Sequence, residues 1–251
     1  QSGRADKVFI SDVNTKYANR WRAAGMEAAT TDLVFVCDND LEFDESCLAV
    51  LARTFDQDPT IAAVTPAIYD SEDPEKAYSY GSLPHFLGLT IRRENCQERI
   101  VDSVGTGITM YAKSRLDGVG YYDATYPMGW GSDGEFHQRI RLAGLRSVVN
   151  RDARLLHEFK PFSDARSYRL RGATRNRLTL IGTHYSLGTL LFLLPLLIAF
   201  EVFLLFFYLG SGLRKPYWEG IKLFASDLPA CWRRRKFIQG MRRRPDWQLL
   251  V

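Results

Sequence analysis

Apolar positions in this chain come in short runs broken by polar turns until residue 187, where one long run replaces them. The first, Leu33-Val34-Phe35-Val36-Cys37, has the length and β-branched content of a buried strand. A short helix is expected over 19–29, leading into it. Leu48, Leu51 and Phe55 fall on one face of a helix over 45–55, with Asp44 as its N-cap. A second strand is expected at 61–65, a polar loop at 70–74 and an irregular, aromatic-rich stretch at 78–99. A strand over 104–112 contains Gly105 and Gly107, and a Gly- and Tyr-rich loop covers 118–131. Phe136 and Ile140 mark the inner face of a helix over 133–143, with Gly144 as its C-cap. Strands near Ser147 and Leu155 close the domain at His157. This order predicts an α/β domain over 1–165.

The long run, Leu187 to Leu209, holds 17 Leu, Ile, Val or Phe residues, one charge at Glu201 and one proline at Pro195. As a helix it would be about 35 Å long, against a hydrocarbon core of about 30 Å. The apolar residues favour insertion by roughly 5 to 10 kcal/mol, and Glu201 opposes it by about 3 kcal/mol. Membrane association follows. Arginines at 166, 169, 171, 175 and 177 precede the run, and Arg214, Lys215, Lys222 and Arg233-Arg234-Arg235-Lys236 follow it. Both flanks are basic, so both are expected in the cytoplasm. That leaves a single span, an in-plane helix and a shallow hairpin bent at Pro195 as alternatives. The divisions expected are a basic linker over 166–184, a membrane-associated segment over 185–210 and a basic tail over 211–251.

Charge sharpens this division. From Ser211 onward there are ten Lys or Arg against three Asp or Glu, so +7 of the overall +4 lies there and the remainder carries −3. The tail predicts an anionic membrane surface as partner. Trp218, Trp232 and Trp247 among its cations favour a lipid interface over nucleic acid. The four cysteines form no CxxC pair and predict buried thiols rather than a zinc site or disulfide scaffold.

Candidate chemistry lies at three places. Asp38-Asn39-Asp40 follows the first strand, where open α/β sheets bind ligands, and a carboxylate pair can hold a divalent metal against phosphate oxygens. Trp130-Gly131-Ser132-Asp133-Gly134-Glu135 lies at a loop-to-helix junction, and His157 ends Arg151-Asp152-Ala153-Arg154-Leu155-Leu156-His157.

Together with Gly107-Ile108-Thr109-Met110 and Val119-Gly120-Tyr121-Tyr122-Asp123, this ordered set resembles family 2 glycosyltransferases of the GT-A fold, from about Val8 to His157. Arg175-Asn176-Arg177-Leu178, the apolar run and the Arg-rich end resemble the membrane-associated, rhamnosyltransferase-like branch. The resemblance implies a Mg²⁺ or Mn²⁺ ion on Asp40, with Asp38 and His157 as further ligands. It implies a nucleotide-sugar donor meeting Asp38 and Asn39, and Asp133 as the general base of an inverting transfer. Trp130, Glu135 and Gly107 are the candidate contacts to a saccharide or lipid-linked acceptor. Ser132 stands where the family has an acidic residue, and Ala23 where its helix has asparagine. The family's opening βαβ unit needs 30 or more residues. One candidate strand at 7–11 precedes Asp38, so the domain is expected to be N-terminally incomplete, a fragment of a longer enzyme. A processive synthase would carry Gln-x-x-Arg-Trp, which neither Gln138 nor Gln239 supplies. An inactive membrane-docked module would leave the three motifs without a purpose.

Overall fold

A computed structural model describes residues 17–43, 45–127, 131–158 and 166–251. Asp44, Trp130 and the expected strand at 7–11 lie outside them. In chain order the elements are α1 (Ala18–Ala28), β1 (Leu33–Val36), β2 (Leu41–Glu42), α2 (Glu45–Thr54), β3 (Ile61–Asp70), β4 (Ala77–Ser79), β5 (Ser82–Pro84), β6 (Thr90–Arg92), β7 (Ile100–Asp102) and β8 (Thr109–Ala112). They continue with α3 (Gly134–Leu142), β9 (Arg146–His157), α4 (Arg166–His184), α5 (Leu187–Gly210), α6 (Arg214–Ser226) and α7 (Leu228–Gly240).

The main sheet runs β1-β8-β3-β9-β2, with β4 on β3 and β7 on β9. β3 and β9 are parallel, and β8 is antiparallel to both β1 and β3. β3 is buried from Ile61 to Tyr69, so both sheet faces are covered. Tyr111, Phe136 and Ile140 fill one face under α1 and α3, while Leu51, Val64, Met110 and Val148 fill the other under α2. The two strands expected near Ser147 and Leu155 are one long β9. Its register against β3 jumps between Pro66 and Ala67, where partners change from Asn150 to Arg154. A proline has no N–H to give the ladder, and a bulge is where a strand tolerates one. β1 is less buried than its apolar run predicts: Leu33 is exposed and the next three residues are half-buried. It is the terminal strand of the described sheet, so one of its edges has no described neighbour.

The C-terminal third is built of helices. The basic linker is the helix α4, with Arg175 buried against Asp227 at 2.8 Å and over the Tyr126 ring. The basic tail folds back as α6 and α7. Leu142, Ile238 and Leu249 form one cluster, and the Val251 amide donates to the Pro84 carbonyl. Several tail arginines face inward. Arg235 donates to the Gly182 and Tyr185 carbonyls at the end of α4, and Arg242 donates to His184 O. These bonds satisfy carbonyls that a helix C-terminus leaves open.

The apolar run is one uninterrupted helix, α5, with Ser186 capping its start and Pro195 inside it; the hairpin alternative does not occur. It is long and apolar enough to cross a membrane. It lies antiparallel beside α4, with Leu190, Leu193 and Leu197 against Leu180, Ile181 and Tyr185. Farther along, Glu201 pairs with Arg177 and accepts a 2.5 Å hydrogen bond from Tyr217 of α6. The one charge in the run is thereby neutralised. Both ends of α5 stay with the same body. Ser186 N donates to Asp246 at 2.7 Å at one end, and the Tyr208 and Tyr217 rings lie 5.0 Å apart at the other.

Candidate active site

Three elements meet at the C-terminal end of β1. The strand delivers Asp38 and Asp40, α1 packs beside it, and the loop before α3 delivers Asp133. Asp133 stands at the N-cap position of α3, but its side chain makes no cap hydrogen bond. The carboxylate instead accepts from Arg22 Nη1, while Arg22 Nη2 lies 3.1 Å from Asp38 Oδ1. One guanidinium thus joins the strand end to the helix start. Three positions before Arg22, on the same face of α1, Asn19 is buried and donates to Ser132 O at 2.8 Å. α1 therefore fixes both the backbone and the carboxylate of the junction. Ala23, at the family's asparagine position, packs instead on the Tyr111–Phe136 cluster.

Gly107 makes this bridge possible. A side chain there would collide with the Arg22 guanidinium. Its visible contribution is room for Arg22, beside the acceptor contact expected from the sequence. The Arg22 guanidinium lies 5.7 Å from the Tyr122 ring centre. Behind it runs a buried chain: Tyr122 OH to Tyr111 OH at 2.6 Å, Tyr111 OH to His137 Nε2 at 3.0 Å, and His137 Nδ1 to Ser147 at 2.7 Å. Burial pushes His137 down to about 3, so this imidazole is neutral.

The electrostatics of Asp133 are a contest. Dehydration raises its pKa above the usual carboxylate range, Arg22 pulls it back, and Asp38 adds an upward push. Arg22 is held more firmly ionised, chiefly by Asp133. The result is a carboxyl group paired with a cation yet with a raised affinity for a proton. These are properties a general base needs.

Asp40 and His157 form a second pair. β2 runs beside β9 with Leu41 opposite His157, which brings Asp40 Oδ1 to 3.7 Å from His157 Nε2. Asp40 Oδ1 is buried and, among the described residues, has no hydrogen-bond donor. The expected three-ligand set is not assembled: no three His, Cys, Asp or Glu side chains converge among the described residues. Asp38 is drawn toward Arg22 instead.

Glu135 is also corrected. It does not face an acceptor. It is fully buried, 2.9 Å from Arg139 Nε and 3.5 Å from His184 Nε2. Arg139 in turn donates to the Val119 and Tyr121 carbonyls, fixing the preceding loop. Asn19 and Arg22 were not among the residues singled out from the sequence; their one signal is a polar i, i+3 pair on the helix entering the Asp38 strand.

Residues 7–116 match the family model described as glycosyl transferase family 2. Among solved structures, that of GalNAc-T7 with UDP, GalNAc and Mn²⁺ superposes with a TM-score of 0.52 at 15% identity, over 68% of this chain and 35% of that one. The mannosyltransferase PcManGT from Pyrobaculum calidifontis, in complex with GDP-Man and Mn²⁺, gives 0.41 at 14% identity, over 82% and 53%. The chain thus spans about a third to a half of the length of these proteins. No curated protein matches it. Residues 7–116 thus resemble glycosyl transferase family 2, and the sheet shares the fold of the GalNAc-T7 structure.

Proposed function

We propose that this chain forms the catalytic part of a metal-dependent, inverting glycosyltransferase working at a membrane surface. It moves a hexosyl or rhamnosyl residue from a nucleotide-sugar donor to a hydroxyl of a saccharide or lipid-linked acceptor. The observation that carries the reading is the convergence of Asp38 and Asp133 on Arg22, beside the Asp40–His157 pair. Asp133 takes the proton of the attacking hydroxyl, and the hydroxyl oxygen displaces the nucleoside diphosphate in one step. A single displacement inverts the anomeric carbon. Arg22 keeps Asp133 ionised until the acceptor arrives. Asp38 and Asn39 face the donor's ribose and phosphate side.

The buried Asp40 Oδ1 without a donor, next to an imidazole, fits a Mg²⁺ or Mn²⁺ ion. Bound there, the ion would neutralise charge on the departing diphosphate. The structure of GalNAc-T7 with UDP and Mn²⁺ offers a precedent for that ligand class on this fold.

Membrane association rests on α5 and its successors. Both ends of α5 belong to one body whose flanks are basic, which favours a helix lying in the plane of the cytoplasmic leaflet over one crossing it. The exposed faces of α6 and α7 support this. They combine Trp218, Trp232 and Phe237 with Lys222, Arg233 and Lys236, a pairing suited to anionic headgroups.

The test is sugar transfer by the full-length protein, with UDP-, GDP- and dTDP-sugars and either metal. Transfer that requires metal and disappears in Asp133→Asn is expected. Undiminished transfer in Asp133→Asn would remove the base assignment, and no turnover of any donor would remove the enzyme reading.

A further inference from the structure

A cavity of about 500 Å³ lies between α4, α5 and the junction that carries Asp133. That volume falls within the about 300–1,000 Å³ of ligand sites. Gly131 and Gly134, the residues flanking the Ser132-Asp133 pair, line one side, and Thr90, Gln138 and Asn176 add polar groups there. The other side is hydrocarbon: Leu170, Leu180, Phe200 and Leu204. Along the same α4–α5 seam a second, smaller cavity of about 290 Å³ is lined by Ile181, Leu194 and Ile198. A helix pair serving only as scaffold closes such gaps, because unfilled space forfeits dispersion contacts. Here the gaps follow the seam of α5, whose outer face is almost wholly apolar and exposed.

From this juxtaposition we infer that the acceptor is an amphiphile whose hydrocarbon chain enters between α4 and α5, placing its hydroxyl-bearing head at Asp133. This deepens the glycosyltransferase reading and rests on it. The polarity of the walls sets the orientation: polar at the Asp133 junction, apolar toward the face proposed to meet lipid. Arg177 lines the larger cavity and Glu201 the smaller, and their mutual pairing removes net charge between the two. An uncharged chain is therefore what the seam accommodates. In-plane embedding of α5 would open the seam toward the acyl region, so that the acceptor need not leave the bilayer to react.

The probe is a dodecyl glycoside with a diazirine at the chain terminus, photolysed with the full chain in lipid nanodiscs and mapped by mass spectrometry. Labelling is expected on the inward positions of 170–180 and 200–208. It should fall at least fivefold in Leu204→Trp, whose indole fills the cavity, with circular dichroism checking that the variant folds. Label confined to the outward residues Phe192, Phe203 and Phe207, and unchanged in Leu204→Trp, would overturn the inference. A second arm compares transfer to dodecyl and methyl glycosides. Wild type should show at least a tenfold lower KM for the dodecyl compound, since each buried methylene adds favourable transfer energy, and Leu204→Trp should lose that preference. Equal KM values for the two glycosides in wild type would also overturn it. Labelling reads the cavity without turnover, so an inactive preparation refutes the enzyme reading and leaves the cavity result to stand.

Discussion

Asp133 and Glu135 stand two residues apart at the same helix start, each with an arginine partner, yet they belong to different worlds. Asp133 shares Arg22 with Asp38, and its side chain is 29% exposed. Glu135 shares Arg139 and His184 in a cluster where the side chains are 6% exposed or less. The first arrangement has water access and a cation divided between two anions, so its partners can be exchanged for a substrate. The second has no solvent access, and its members hold one another and the loop carbonyls. A carboxylate at a helix start is thus no guide to chemistry until its burial and its sharing are known.

The contrast breaks most visibly through activity. Asp133→Asn should lower turnover by about 10²- to 10⁴-fold, the usual contribution of a general base, while its melting temperature stays near wild type; steady-state kinetics and a thermal melt on one preparation decide it. Glu135→Ala should do the reverse in kind. It strands Arg139 in the interior, and breaking a buried pair costs about 3–5 kcal/mol, readable by urea denaturation. If Glu135→Ala were stable and inactive, the division between the two carboxylates would fail.

A finer test lies in pH. Arg22 lowers the proton affinity of Asp133, so Arg22→Met should move the acid limb of the kcat/KM profile to higher pH. An unmoved limb would show that Arg22 is only a strut. Smallest is the effect of the buried imidazoles. Burial depresses His137 to about 3 and His184 to about 4. The unfolded chain therefore binds protons that the folded one refuses, so stability is full above about pH 6.5 and declines below it. Each imidazole contributes at most about 1.4 kcal/mol per pH unit within that window. Denaturation midpoints between pH 7.5 and 5 measure the slope.

What the sequence disclosed and what it hid divide along local versus distant causes. Asp38 and Asp40 were legible because an apolar run ends beside them, and α2 and α3 because their apolar residues recur at helical spacing. Arg22 was not, since nothing around it distinguishes it from a solvated helix cation. Its meaning comes from Asp38, Asp133 and the bare Gly107, all brought by the fold. Glu135 read as an acceptor contact because its partner His184 sits on a distant helix. The arginines of α7 and its successor looked like a lipid-facing charge run. Arg235 and Arg242 instead cap α4, and only the outward subset, Arg233, Lys236 and Arg243, retains that part. Trp130 stays an acceptor contact expected from the sequence, outside the described residues.

The Arg177–Glu201 pair has a consequence for how the protein is made. During synthesis α4 emerges before α5, so the guanidinium is already present when the carboxylate leaves the ribosome. The two helices form an adjacent antiparallel hairpin, and the charge is cancelled within one local unit rather than by a late-arriving subunit. The most apolar stretch of the chain can therefore settle against its neighbour as a neutral element from the outset, shortening the interval in which an unpaired acid sits amid exposed hydrocarbon.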